Sequence, residues 1–329
     1  MEKKYIINPF LDFILIQFPI WIPLLFLSIT NVFPETYKIV LISYLIFGEI
    51  HFGSTFIFFL DKKYRELFQN EKYIFLFWPI LLILFCIFFS IVFSVSAVLF
   101  LILLFNFYHV NRQSIGVLKL YGNKRNQKLN NHSIFLLYVI SFSLCFIGIL
   151  KFIFKSEQYF NNSSEISLLI IIFTIASLLY ILINLIVSGD KDFSLLTNFS
   201  TGVLIFSPVL FCDNIIEVFA IGVGMHYMQY IAITWTVFHR KAVRKNEIGD
   251  KQFVKIGSLK KIIIYLLFYS SLMVYFSNLN IEYKNEQIGI YLIPIFFQLM
   301  HFYIDMFIWK FSSNHTRENL NPYIFNLSK

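Results

Sequence analysis

Four of the seven histidines in this 329-residue chain, His51, His109, His226 and His301, sit inside long apolar runs. Ionisable side chains at membrane depth are costly and mark functional sites by default. Imidazole nitrogens favour iron, zinc, copper and nickel over magnesium or calcium, so the chemistry these four suit is transition-metal binding. Their neighbours are polar as well. Gln298, His301 and Asp305 recur at helical spacing on one face, which lets Asp305 serve His301 as hydrogen-bond acceptor or act as an additional ligand. Around His109 the run reads Asn106, Tyr108, Asn111, Arg112, Gln113, Ser114, with Gln113 on the histidine face and Arg112 on its flank. Around His226 stand Gly222, Gln229 and Tyr230, and around His51 stand Gly48, Ser54 and Thr55. Glu49 points to nearly the opposite side from His51 and is expected to pair with another helix.

Four neutral histidines leave the charge of Fe(II) uncompensated, which a carboxylate such as Asp305 relieves. Gln113, Gln229 and Gln298 either orient the rings or bridge neighbouring helices. Arg112 and Tyr230 are the candidate catalytic or substrate-binding residues. Iron with four histidines and six coordination sites keeps two positions for exogenous ligands, whereas a four-histidine zinc site is closed and structural.

The elements that must position these residues follow from composition. Hydrophobic residues make up 58% of the chain, 42 residues are Phe, and only 14% are charged. That apolar surface exceeds what one soluble core can hide, and the same figures exclude disorder and a disulfide-rich module. The expected fold is all-α: a polytopic transmembrane bundle forming a single domain over residues 1–329. Runs long enough to cross a bilayer number about ten, with eight as the lower bound, at roughly 9–33, 36–60, 73–93, 95–118, 133–154, 166–188, 199–213, 215–238, 260–278 and 287–310. The seventh is short, carries Pro208 and suits a re-entrant or tilted segment.

Loop charge supplies orientation. Lys3, Lys4, Lys62, Lys63, Arg65, Lys72, Lys119, Lys124, Arg125, Lys128, Arg240, Lys241, Lys251 and Lys255 fall on one side. Glu35, Glu157, Glu165, Asp213, Glu217, Glu282 and Glu286 fall on the other, with only Lys38, Lys155 and Lys284 among them, and on the basic side only the Asp190-Lys191-Asp192 loop is neutral. With ten helices the positive-inside rule places both termini in the cytoplasm. The net charge of +8 is then accounted for by topology and anionic lipid, without nucleic acid. Under this topology the four histidine-bearing helices are co-directional. Each histidine falls about 11 to 15 residues into its helix, so at ~1.5 Å per residue all four lie within about 6 Å in depth, near the midplane.

The run Glu49-Ile50-His51-Phe52-Gly53, with further intramembrane histidines on later helices, resembles the Brp/Blh family of β-carotene-cleaving dioxygenases. The resemblance covers short stretches only and carries over the metal-ligand role of His51. It implies a polytopic protein of a bacterial cytoplasmic membrane, a histidine-ligated non-haem iron, and a lipophilic, carotenoid-like substrate taken from the bilayer. Family members tend to have an acidic residue shortly after that motif, where this chain has Ser54, Thr55 and Phe56. Two other readings compete with an iron oxidoreductase. One is a haem protein with two of the histidines as axial ligands, though the C-x-x-C-H attachment motif is absent. The other is a proton-coupled transporter using the histidines as a relay, for which no inverted repeat stands out.

Overall fold

The computed structural model describes residues 5–93, 95–124, 131–154, 157–187, 193–212, 214–248, 259–282 and 292–324. Every regular element among these residues is helical. In chain order they are α1 (Pro9–Gln17), α2 (Trp21–Val32), α3 (Tyr37–Phe56), α4 (Lys62–Asn70), α5 (Trp78–Val92) and α6 (Val95–Lys124). There follow α7 (Asn131–Ile149), α8 (Glu157–Val187), α9 (Ser194–Leu204), α10 (Ile215–Val218), α11 (Gly224–Ile248), α12 (Leu259–Glu282), α13 (Leu292–Ile308), α14 (Asn314–Asn319) and α15 (Asn321–Ile324). Arg125, Lys128, Lys251, Lys255, Asp213, Glu286, the Asp190-Lys191-Asp192 loop and Lys3 and Lys4 lie outside the described residues.

Among the described residues four helices are long and apolar enough to cross a membrane: Pro34–Leu60, Tyr73–Val92, His132–Phe152 and Lys260–Ser277. A fifth span results if α1 and α2 are counted together, although they bend by 63°. The runs Leu168–Asn184 and Ile293–Ile308 are apolar but shorter. In Tyr73–Val92 only 17% of the apolar window is buried inside the protein. Leu76, Phe77, Trp78, Leu84, Phe88 and Ile91 face outward there, as a lipid-facing helix requires. The seventh expected run divides: α9 stops at Leu204 and a short tight turn, Ser207–Leu210, carries Pro208.

The chain forms two compact units, residues 1–44 with 109–232 and residues 45–108 with 233–329. α3, α6 and α11 contribute residues to both. In the first unit, the bend between α1 and α2 falls at Phe18-Pro19-Ile20, where the ring of Pro19 removes a backbone donor. The carbonyls left over by the broken helix are taken up by side chains. Trp21 Nε1 donates to Ile14 O, Gln229 Nε2 to Ile16 O and Thr201 Oγ1 to Gln17 O, at 2.9, 2.5 and 2.6 Å. The buried Asp12 carboxylate ties down the start of the chain, accepting from Ile6 N, Ile7 N and Tyr121 Oη at 2.6, 2.7 and 2.6 Å. Gly222 meets the backbone of Ile205 so closely that a Cβ would collide with its carbonyl oxygen.

In the second unit, Asp61 caps α4 through Lys63 N at 2.9 Å and binds the buried Lys241 ammonium at 2.6 Å. Lys241 also lies over the rings of Tyr64 and Tyr323, 5.1 and 5.3 Å from their centroids. Such a pair is costly to break once buried, because one partner removed leaves the other charge uncompensated. Arg240 holds the end of the described chain through Tyr323 O and Ile324 O. Cys86, Val98, Ile102 and Leu299 form a small apolar cluster. Cys86, Cys145 and Cys212 are buried, and no disulfide joins them.

Gly222 and Gly116 give a paired test of close packing. A Cβ on Gly116 would meet nothing within 4 Å. Gly222→Ala should therefore destabilise the protein by about 2 kcal/mol or more, while Gly116→Ala should be neutral or stabilise it by up to about 1 kcal/mol. Melting of the two variants in detergent micelles measures the contrast.

Candidate metal centre

His51 and His301 belong to the second unit and come from α3 and α13. Their rings meet at 4.5 Å between centroids and 69° between planes. Phe52 stands beside both, 5.3 Å from His51 and 5.1 Å from His301, and Phe302 lies 5.5 Å from His301. Both histidines are fully buried. The setting is an aromatic collar closed off from bulk solvent.

Behind His301 the hydrogen-bonding is specific. Thr55 Oγ1 lies 2.7 Å from His301 Nδ1 and 2.7 Å from Asp305 Oδ1. A hydroxyl has one proton, and an ionised carboxylate only accepts. Thr55 therefore donates to Asp305 and accepts from His301 Nδ1–H. This assigns the tautomer and leaves the Nε2 lone pair of a neutral His301 available to a metal. Asp305 Oδ2 is 3.9 Å from His301 Nε2, too long for a hydrogen bond. Asp305 thus reaches His301 through Thr55 with one oxygen, while its other oxygen stands close to Nε2 on the same helix, as the i, i+4 spacing suggested. Sequence reasoning placed Thr55 on the His51 face without giving it a role. The clue was its own i, i+4 spacing from His51, which turns the hydroxyl toward the same space.

His109 follows Tyr108 on the unbroken α6. One ligand nitrogen from each of His51, His109 and His301 lies within 4.8 Å of the others, and all three residues are buried. A metal ~2.1 Å from each imidazole nitrogen sets ligand separations of up to about 4.2 Å, and a group of this kind could hold an ion. His226 is not one of these three. Within the first unit its ring stands edge-on to that of His109, 5.7 Å between centroids and 89° between planes.

The remaining expected residues divide. Glu49 is buried and, as expected, pairs away from His51: its partner is Gln298, which is therefore committed to a carboxyl and not to a histidine ring. The Tyr269 ring fills the space left by Gly53, one turn along α3 from Glu49, where a Cβ would meet it at 2.6 Å. Gln229 binds the Ile16 carbonyl and so bridges two elements. Tyr230 is buried, Gln113 is half-buried, and Arg112 and Tyr108 are exposed.

The Thr55 assignment has a direct consequence. Thr55→Val keeps the shape and removes the hydroxyl, and Asp305→Asn keeps the shape and removes the charge. Each should lower metal retention by about 10- to 100-fold while the melting temperature of the metal-free protein changes little. Competition with a chelator, read by elemental analysis, checks this; unchanged retention in Thr55→Val would show the relay to be structural only. No family model, curated protein or solved structure matches the chain.

Proposed function

We propose that this chain is an integral membrane metalloprotein whose histidines hold iron for oxidoreductase chemistry, of the oxygenase type, on a lipophilic substrate drawn from the bilayer. The observation that carries the reading is the buried group of His51, His109 and His301, with Thr55 and Asp305 fixing the tautomer of His301. His226, beside His109, is the fourth ligand in this reading, and Asp305 supplies the nearby negative charge. Three or four neutral nitrogens suit iron, and the open positions of a six-coordinate ion are what separate this reading from a closed zinc site. Bound iron supplies the change of oxidation state. The chain's own residues hold the ion, exclude water through Phe52 and Phe302, and keep the proton of His301 on Nδ1.

A carotenoid-like polyene is the substrate suggested by the likeness of Glu49-Ile50-His51-Phe52-Gly53 to the Brp/Blh dioxygenases. The membrane arrangement that goes with this proposal has ten spans, both termini in the cytoplasm and a location in a bacterial cytoplasmic membrane. Its support is the one-sided distribution of Lys and Arg among the loops.

Elemental analysis with an absorption spectrum of the purified protein tests the function. Iron at about one per chain without a Soret band is the expected outcome. A Soret band would replace this reading with a haem protein. Protein that retains no metal would remove it and favour the histidines as a proton relay.

A further inference from the structure

A second cluster of titratable side chains lies in the second unit and shares no residue with the metal centre. The last helices of the described chain meet α4 and α11 there. Asp61 sits at its middle: Oδ1 accepts from Lys63 N at 2.9 Å and Oδ2 from the Lys241 ammonium at 2.6 Å. The Tyr64 ring is shared by two basic groups. Lys241 Nζ lies 5.1 Å from its centroid, and the His315 ring meets it edge-on at 4.9 Å and 81°. α14 and α15 run past this cluster as a strap. Arg240 Nη1 donates to Tyr323 O at 2.9 Å and to Ile324 O at 2.5 Å, and Lys241 Nζ lies over the Tyr323 ring as well. Thr316 Oγ1 donates to Ile308 O at 3.1 Å, at the end of α13. Leu320 and Ile324 are fully buried, so the strap is seated by apolar packing as well as by these bonds.

His315 is the strap residue whose charge changes near neutral pH. Its Nδ1 faces Asn319 Nδ2 at 3.5 Å, and that amide nitrogen also donates to His315 O at 3.0 Å. The amide donates, so Nδ1 accepts and the proton of the neutral ring stands on Nε2. Nε2 is buried with no hydrogen-bond partner. A second proton on the ring would point Nδ1–H at a donor and still leave Nε2–H without an acceptor. It would also set a second cation against Tyr64, beside Lys241. Asp61 is no free counter-charge, since its oxygens already serve Lys63 N and Lys241. The charged groups acting on the ring are Lys241 from α11, Asp61 and Lys63 at the start of α4, and Glu318 on its own helix. Burial is the largest influence and Lys241 the next. Both lower the pKa of His315, Asp61 and Glu318 oppose them, and the balance is downward. In a released strap the ring is solvated and titrates near its ordinary value of about 6.5. The seated strap therefore requires the neutral ring, is favoured above about pH 6.5, and loses stability as the pH falls below it.

We propose that Asn314–Ile324 is an acid-released strap: protonation of His315 beside Lys241 lifts it from Arg240, from Lys241 and from the end of α13. The device rests on the contacts of the strap alone and is independent of the metal reading. Hydrogen exchange of the full chain in detergent micelles, read by mass spectrometry on peptides covering 314–324, tests it. Each rate is divided by the rate of unstructured chain at the same pH, which gives protection. In the wild type, protection of this segment should fall by up to about tenfold between about pH 7.5 and about pH 5.5, the change expected of one group that titrates at about 6.5 only when released. Peptides from α5 should keep theirs. Arg240→Met removes the bonds to the carbonyls of Tyr323 and Ile324 and should lower protection of the strap at both pH values. His315→Phe keeps a ring against Tyr64 and His315→Gln keeps a polar group, and neither titrates. Both should hold at about pH 5.5 the protection they have at about pH 7.5. Wild-type protection that is the same at both pH values would overturn the inference. So would a loss in the two His315 variants as large as in the wild type, which would assign the transition to Asp61 or Glu318.

Discussion

A buried imidazole must hand its N–H to an acceptor, and for His301 that acceptor is the hydroxyl of Thr55, 2.7 Å away. Much of the second unit follows from this bond. Thr55 can accept from His301 only if its own proton goes elsewhere, and Asp305 takes it at 2.7 Å. Asp305 is buried at that bond. α3 and α13 must therefore be held in register to within a few tenths of an ångström. The Phe56 and Phe297 rings and the pairing of Glu49 with Gln298 hold the same two helices on another face, where the Tyr269 ring of α12 is seated against Gly53. A larger residue at position 53 would push α12 away and loosen the faces on which the histidines depend.

The same constraint, that polar groups at depth must be satisfied inside the protein, organises the first unit around the bend between α1 and α2. Breaking a helix exposes carbonyls that lipid cannot satisfy. Side chains from distant parts of the sequence, Trp21, Thr201 and Gln229, reach those of Ile14, Ile16 and Gln17. Asp12 shows a fully satisfied alternative. Its three donors leave it closed, and it serves only to anchor the start of the chain.

The histidines were legible in the sequence because a titratable side chain inside an apolar run stands out against its neighbours, and depth could be counted residue by residue. His51, His109 and His301 come together as that reasoning expected. His226, which follows the wide helical turn Phe219–Val223, stands edge-on to His109 and is not one of the three. Thr55 was harder to read, since a threonine on a helix most often bonds to its own backbone. Gln298 and Gln229 were recognised as either ring-orienting or bridging groups, and both turn out to bridge. Their partners, Glu49 and the Ile16 carbonyl, lie far away in sequence. The run at 9–33 read as one span, yet Pro19 bends it by 63°. Proline in a membrane helix is tolerated or breaking according to what neighbouring helices supply, which the run itself does not encode.

The central claim is that one ion is held by ring nitrogens from separate helices, and X-ray absorption of the metal-loaded protein tests it most directly. The account predicts a first shell of nitrogen and oxygen at about 2.0–2.2 Å, with the outer-shell scattering that imidazole rings produce from at least three histidines. It further predicts that His301→Ala removes one ring from that pattern or empties the site. A first shell containing sulfur, or a metal signal without imidazole scattering that is unchanged in His301→Ala, would contradict it.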